Sequence, residues 1–218
     1  MAKKVVKPFK NWLYEEVEQE FGLTRLRTLP LLEELKNITL PEDHEYRATL
    51  EKYRLEVFDY VDTWNEDEYK FMFISPYFKL IDFNTPYFKV FTQRPLSVTY
   101  ANDTKTTTGN VEFMLAKGKQ IPRKPHFFLH EYKPEKNRDN DPLGQLLIAM
   151  VAARKINEDE QPIYGIYVNG RNWFVVILEG KNYAVTLSFD VTSNDILTLF
   201  AVLDFIKQKM ETMYKVWM

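Results

Sequence analysis

Apolar residues recur at helical spacing through the first third of the chain. In residues 9–21 they fall on one side of a helix whose other side carries glutamates. Two further helices are predicted at 31–36 and 43–63. The stretch 71–83, interrupted by Pro76, fits either a strand or irregular structure. The first third is therefore predicted to be mostly helical.

From residue 87 onward, short runs of strand-forming residues alternate with turns. The predicted strands, the first of them divided at Pro95, are 87–100, 110–116, 126–133, 162–168, 173–178 and 183–187. The polar loop 101–109 is expected to reverse the chain. Asp141-Pro142 should begin a helix at 143–156, because aspartate is a favoured N-cap and proline suits the first turn. An amphipathic helix is predicted at 195–209.

This order of elements predicts a mixed central β-sheet flanked by helices, an α/β or α+β fold. The 218 residues fit a single domain with a sizeable core, spanning 1–218. Its parts would be a mostly helical region at 1–85, a sheet with one crossing helix at 86–190, and a C-terminal helix at 191–218.

Composition narrows the classes of function. The absence of cysteine excludes disulfides, thiolate zinc sites and cysteine nucleophiles. The formal net charge of −2 excludes a broad cationic surface, so nucleic acid would have to bind a local patch. The first residues lead into no apolar signal segment, and no run of about 18 apolar residues follows. A cytoplasmic protein without a membrane partner is expected.

Several common catalytic motifs are absent from the sequence. It contains neither a phosphate-binding glycine loop nor the Gly-x-Ser-x-Gly motif of serine hydrolases. His130-Glu131 begins like a zinc-protease motif, but Pro134 stands where the second histidine is required. The other histidines are His44 and His126. Because His126 and His130 would lie on the strand face opposite Glu131, a structural role is expected for both.

Three charged residues lie inside apolar predicted strands: Glu112, Glu131 and Lys133. Alternation would place Glu131 and Lys133 on one face of their strand, beside the strand that carries Glu112. Burying such groups costs on the order of several kcal/mol unless they pair or bind something. Carboxylates with few nitrogen ligands suit Mg²⁺ or Mn²⁺, and a nearby lysine can orient or deprotonate a water. An interior ion pair between Glu131 and Lys133 is the alternative.

The same Glu-x-Lys tripeptide occurs earlier, as Glu68-Tyr69-Lys70. This copy follows an acidic polar run and has no acid-bearing strand before it. We interpret it as a solvated boundary between elements, and only the later copy as a candidate site.

Four segments follow one another in an informative order. They are Gly109-Asn110-Val111-Glu112-Phe113, His130-Glu131-Tyr132-Lys133, Gly144-Gln145-Leu146-Leu147 and the stretch 164–173. Their order and spacing, within residues 91–178, resemble the PD-(D/E)XK nuclease superfamily, which has the restriction endonuclease-like fold. In that superfamily an acid on one core strand precedes an acid-x-lysine on the next, and a helix often carrying glutamine follows. The chain departs from the pattern at Glu112, where aspartate is usual.

The resemblance implies a Mg²⁺- or Mn²⁺-dependent nuclease that hydrolyses DNA. Glu112 and Glu131 would ligate the metal together with the backbone carbonyl of Tyr132. Lys133 would position or deprotonate the attacking water, and Gln145 would support the site from its helix.

Other properties of the superfamily leave alternatives open. Some relatives add an acid from the first helix, for which Glu15, Glu16 and Glu18 are all candidates. Many members act as dimers, so a homodimer is compatible with the resemblance. Because some members have lost activity, the alternative function is an inactive module that binds nucleic acid or protein. A plain structural adaptor is a third interpretation.

A local group of basic residues is consistent with nucleic-acid binding. Lys117, Lys119, Arg123 and Lys124 fill the connection between the acid-bearing strands, and Lys136 and Arg138 follow the second strand. Phosphate contacts of this kind weaken steeply with salt; a solubilising loop is the alternative. Arg171 and Trp173, beside a predicted hairpin, are candidates for substrate contact, although a tryptophan at the start of a strand more often belongs to the core.

Overall fold

Among the described residues, nine strands form one sheet. The computed structural model describes residues 5–102, 104–133 and 141–215, and of residues 129–133 it describes the backbone alone. The strands are β1 (Val5–Pro8), β2 (Thr24–Arg25), β3 (Lys89–Tyr100), β4 (Lys105–Lys117), β5 (Arg123–Lys133), β6 (Ile163–Asn169), β7 (Asn172–Glu179), β8 (Asn182–Val185) and β9 (Phe189–Asp190). Two of the predicted basic positions, Lys136 and Arg138, lie outside the described residues.

The sheet is mixed, as the sequence predicts. Its strands follow the order β1-β4-β5-β6-β7-β8-β2, with β3 beside β4 and β9 beside β7. The pairs β1–β4, β5–β6 and β2–β8 are parallel, and the other pairs are antiparallel. Parallel neighbours that follow each other in the chain need a crossover, and the helix between β5 and β6 supplies it.

Helices cover both faces of this sheet, which confirms the predicted α/β architecture. They are α1 (Tyr14–Phe21), α2 (Pro30–Lys36), α3 (Arg47–Tyr60), α4 (Glu66–Tyr69), α5 (Ser75–Ile81), α6 (Pro142–Asn157) and α7 (Asp195–Lys215). On one face, α1 and α6 share a core with Val176 and Leu178 of β7. On the other, α2, α3, α5 and α7 share a core with Val175 and Ile177. Alternate residues of β7 thus enter opposite cores, so both of its faces are buried.

The segment 71–83 is helical, so its prediction as strand or irregular structure was wrong. A π-helical turn, Lys70–Ile74, continues directly into α5. Phe73, Tyr77 and Ile81 recur at a spacing of four and are at most 2% exposed. Residues four apart share a helix face, and here that face meets the core of the sheet. Tertiary burial therefore decides between strand and helix in this apolar run.

Several boundaries near the start of the chain also differ from the prediction. The first helix begins at Tyr14 rather than residue 9, after a 3₁₀ turn at Phe9–Asn11. β1 and β2 lie inside the region predicted to be mostly helical, and they are too short to produce a readable alternation.

β3 runs unbroken through Pro95. Among the described strands it pairs only with β4, and edge strands are where sheets accept proline.

The predicted start of α6 is confirmed. Oδ1 of Asp141 accepts a hydrogen bond from the backbone N–H of Gly144 at 2.9 Å, and Oδ2 accepts one from the backbone N–H of Tyr14 at 2.6 Å. The N-cap of α6 therefore also fixes the start of α1. A Cβ atom on Gly144 would lie 2.4 Å from the carbonyl oxygen of Trp12, so glycine is required at this contact. None of the described helices combines the length and apolar character needed to cross a membrane.

Candidate functional site

Glu112 lies where β4 changes its neighbour. One edge of β4 pairs with β3 along residues 105–116. The opposite edge pairs with β1 at 105–108 and with β5 at 113–117. Glu112 stands between these two pairings, at a fork in the sheet, and its side chain is 18% exposed. A largely buried carboxylate at such a point requires a partner or a ligand.

One partner of Glu112 is Lys70, the first residue of the π-helical turn. Its Nζ lies 3.0 Å from Oε2 of Glu112 and also contacts Oε1 of Glu66. Burial opposes the charged form of Lys70, but the hydrogen bond that Lys70 donates to Glu66 and the attraction of Glu112 outweigh burial. The pKa of Lys70 is consequently raised above its ordinary value. Lys70 is thus a cation held between two carboxylates.

The position of Lys70 corrects the interpretation of Glu68-Tyr69-Lys70 as a solvated boundary. Of the three residues only Glu68 is exposed; it forms a capping box with Asn65, which begins α4. Tyr69 is fully buried, and its hydroxyl accepts a hydrogen bond from Nε1 of Trp173 at 3.0 Å. The interpretation was wrong because the tripeptide packs against the sheet. Asn65 as a helix cap and the i,i+4 pair of Glu66 and Lys70 were the sequence signals for this arrangement.

The backbone of β5 brings the second candidate acid next to the fork. Leu129 is paired with Phe113 of β4. The strands run antiparallel, so residues after Leu129 in β5 lie beside residues before Phe113 in β4. Glu112 is one residue from this pair and Glu131 is two residues from it, both on the same side of the pair. Beyond Leu129, β5 continues along β6, with an irregular register between His130 and Tyr132. The predicted alternation is therefore interrupted at Glu131, as in a β-bulge, which can re-aim a side chain.

The side chains of several site candidates lie outside the described residues. They are those of His130, Glu131, Tyr132 and Lys133. Their backbones belong to β5, so the predicted strand at 126–133 is confirmed. Among the described side chains, no group of three or more His, Cys, Asp or Glu residues is placed to hold a metal ion.

Gln145, the candidate on α6, is 3% exposed. Within the described part of the chain, its Nε2 has no hydrogen-bond partner. An unpaired buried amide costs about 1–3 kcal/mol, and such a group is a donor that a bound molecule could satisfy. The supporting role implied for Gln145 stays a prediction.

We expect Gln145→Met to raise the free energy of unfolding by about 1 kcal/mol, because methionine fills a similar volume without a buried unpaired N–H group. Urea denaturation followed by circular dichroism would measure the change. Gln120→Met, at an exposed position, is the matched control and should leave stability within about 0.5 kcal/mol of wild type. A loss of stability in Gln145→Met would show that the amide has a partner essential to the fold.

The three candidate acids of the first helix each have a partner of their own. These partners are the Tyr14 hydroxyl for Glu15 at 3.2 Å, the Lys7 ammonium for Glu16 at 2.8 Å, and the Tyr183 hydroxyl for Glu18 at 2.7 Å. The helical acid that shares a cation with Glu112 is Glu66 of α4, which the sequence reasoning missed.

The four described basic candidates lie at the hairpin end of β4 and β5: Lys117, Lys119, Arg123 and Lys124. Lys119 and Arg123 are exposed. Nζ of Lys117 lies 5.3 Å from the ring centroid of Tyr214, and Nζ of Lys124 lies 3.7 Å from Oδ2 of Asp159. Lys117 lies five positions along the strand from Glu112, a distance of about 17 Å in an extended strand. The basic group is therefore a separate surface at the far end of the two strands.

His126 belongs to a buried polar cluster at the same end of the sheet. It is fully buried, with Nδ1 3.0 Å from the Tyr214 hydroxyl and Nε2 3.1 Å from Nδ2 of Asn157 and 3.2 Å from Oδ1 of Asp159. Burial lowers the pKa of His126, although Asp159 opposes this effect. These contacts join β5, α6 and α7, which is the structural role expected for this histidine.

The residues beside the β6–β7 hairpin have different surroundings. Trp173 is fully buried and packs edge-on against Phe73 and Tyr77, with ring centroids 6.0 and 5.9 Å apart, which confirms the core interpretation. Arg171 is exposed, and its Nε lies 3.5 Å from Oδ2 of Asp190. Of these two candidates for substrate contact, only Arg171 is accessible.

Fold and site together define an α/β protein with a largely buried, lysine-paired carboxylate at a fork of its mixed sheet. The chain matches no protein-family model, and a search of curated proteins finds no significant match.

Proposed function

We propose that the protein is a metal-dependent nuclease that hydrolyses DNA phosphodiester bonds, of the PD-(D/E)XK type that its sequence resembles. The observation that carries the proposal is the position of Glu112 at the fork between β1 and β5, with the backbone of Glu131 on the adjoining strand. Two acids on neighbouring strands can hold a divalent ion that activates a water, and a lysine close to them can assist that water.

The residues at the fork fit Mg²⁺ or Mn²⁺. Glu112, Glu131 and the carbonyl oxygen of Tyr132 would form an all-oxygen donor set, which these ions prefer. Glu112 already attracts a cation, since the Lys70 ammonium lies 3.0 Å from it. When bound, the divalent ion would supply charge stabilisation and lower the pKa of a coordinated water.

The protein's own residues would then position the reactants. Lys133 would orient the attacking water as an ammonium, or accept its proton as a neutral amine. The unpaired amide of Gln145 would donate a hydrogen bond to a water or a phosphate oxygen. The exposed basic residues Lys119 and Arg123, some distance along the strands, would hold the DNA backbone.

Cleavage of plasmid DNA by purified protein with Mg²⁺ or Mn²⁺ tests the proposal. We expect nicking that stops on chelation of the metal and is lost in Glu131→Ala. Persistence of equal nicking in Glu131→Ala would point to a contaminating nuclease and count against the site.

The alternative is an inactive nuclease-like module that binds nucleic acid or protein. The ion pair between Lys70 and Glu112 favours it, because a lysine can replace the metal as the counter-charge of the carboxylate. Intact plasmid at all metal concentrations, together with DNA binding that weakens steeply with salt, would select this alternative.

A further inference from the structure

The ammonium of Lys70 lies beside the carboxylate of Glu112, which is also where a metal bound by Glu112 would lie. Its Nζ is 3.0 Å from Oε2 of Glu112, while its side chain is 26% exposed. Mg²⁺ binds carboxylate oxygens at about 2.0–2.1 Å. A divalent ion and the ammonium would therefore be like charges competing for one carboxylate in a poorly solvated place, which costs free energy.

Two further features distinguish this contact from an ordinary surface ion pair. The ammonium of Lys70 contacts a second carboxylate, that of Glu66, so two described acids share one cation. Lys70 also begins a π-helical turn. Such turns are rare and occur frequently at functional sites.

We propose that Lys70 is an internal cation that competes with the divalent ion for Glu112, so that metal binding requires Lys70 to move away from this carboxylate. The inference rests on the proposed function, because it takes Glu112 as a metal ligand. Its consequence is weak metal affinity in the wild-type protein and tighter binding when the ammonium is removed.

Titration of the full chain with Mn²⁺, followed by calorimetry or by the electron paramagnetic resonance of free Mn²⁺, tests this competition without any activity assay. We expect Lys70→Met to bind Mn²⁺ at least about tenfold more tightly, since a neighbouring positive charge is removed. Lys70→Arg keeps the charge and should retain wild-type affinity. Lys52→Met removes an exposed lysine of α3 and is the matched control. Lys70→Gln replaces Lys70→Met if circular dichroism shows that the latter is unfolded.

The outcomes separate this inference from the proposed function. If Mn²⁺ binds more tightly to Lys70→Met but not to Lys70→Arg or Lys52→Met, the result supports both the competition and the metal site. Equal affinity of wild type and Lys70→Met, with Mn²⁺ binding lost in Glu112→Gln, overturns the role of Lys70 and leaves the nuclease proposal intact. If neither wild type nor Lys70→Met binds Mn²⁺, the metal site and the inference both fail.

Discussion

Glu112→Gln is expected to slow metal-dependent DNA cleavage roughly a thousandfold, because losing one anionic ligand weakens charge stabilisation by several kcal/mol. Glutamine has nearly the same shape as glutamate, and its amide oxygen can still accept a hydrogen bond from Lys70. The folded structure should therefore persist while the charge is lost. Initial rates of plasmid nicking at saturating Mg²⁺ measure the effect.

Glu179→Gln provides the control for this experiment. Glu179 is an exposed glutamate at the end of β7, so the same change of charge should leave the rate of cleavage unaltered. Thermal unfolding of both variants would verify that they are folded. Undiminished cleavage by folded Glu112→Gln would remove this residue from the catalytic machinery, whatever the role of Glu131.

Trp173→Ala should lower the free energy of unfolding by about 3–5 kcal/mol, the usual cost of deleting a large buried aromatic side chain. Trp173 contacts three rings of the helical segment that precedes β3, those of Phe73, Tyr77 and Phe78. Its Nε1 also donates to the Tyr69 hydroxyl. Because Tyr69 directly precedes Lys70, the variant should also make the position of the Lys70 side chain beside Glu112 less well defined. Urea denaturation measures the loss of stability.

Phe58→Ala serves as the comparison, since Phe58 is 64% exposed and its removal should change stability by no more than about 0.5 kcal/mol. Trp173→Phe keeps most of the ring packing, so its free energy of unfolding should lie between those of Trp173→Ala and Phe58→Ala. Similar stabilities of Trp173→Ala and wild type would mean that the aromatic contacts around β7 do not hold the helical segment to the sheet.

The elements that were predicted correctly are those whose signal is local. Alternation and turns predict the strands around β5 and the β6–β7 hairpin, and Asp141 caps α6 through a contact only three residues away. The prediction for the segment 71–83 failed because its apolar residues satisfy the spacing of a helix and of a strand equally well. Its helical form depends on packing against Trp173, which is far away in the chain.

The candidate site likewise contains residues that the sequence identifies and residues that only the fold brings to it. Glu112 and Glu131 could be chosen from sequence because a charged residue inside an apolar strand is unusual and costly. Lys70 and Glu66 could not, because their relation to Glu112 arises only when α4 and the π-helical turn pack beside the fork. Spacing along the chain carries no information about such a contact.

The sequence by itself determined the mixed α/β architecture, the start of α6 and the identity of two unusual acids, since each depends on neighbouring residues and on periodicity. Only the tertiary structure decided that β4 exchanges β1 for β5 at Glu112, that Gln145 is buried with an unpaired amide nitrogen among the described residues, and that Lys70 meets Glu112. Those relations join segments that are distant in the chain, and burial and Coulomb attraction act between atoms that are close in space, whatever their separation in sequence.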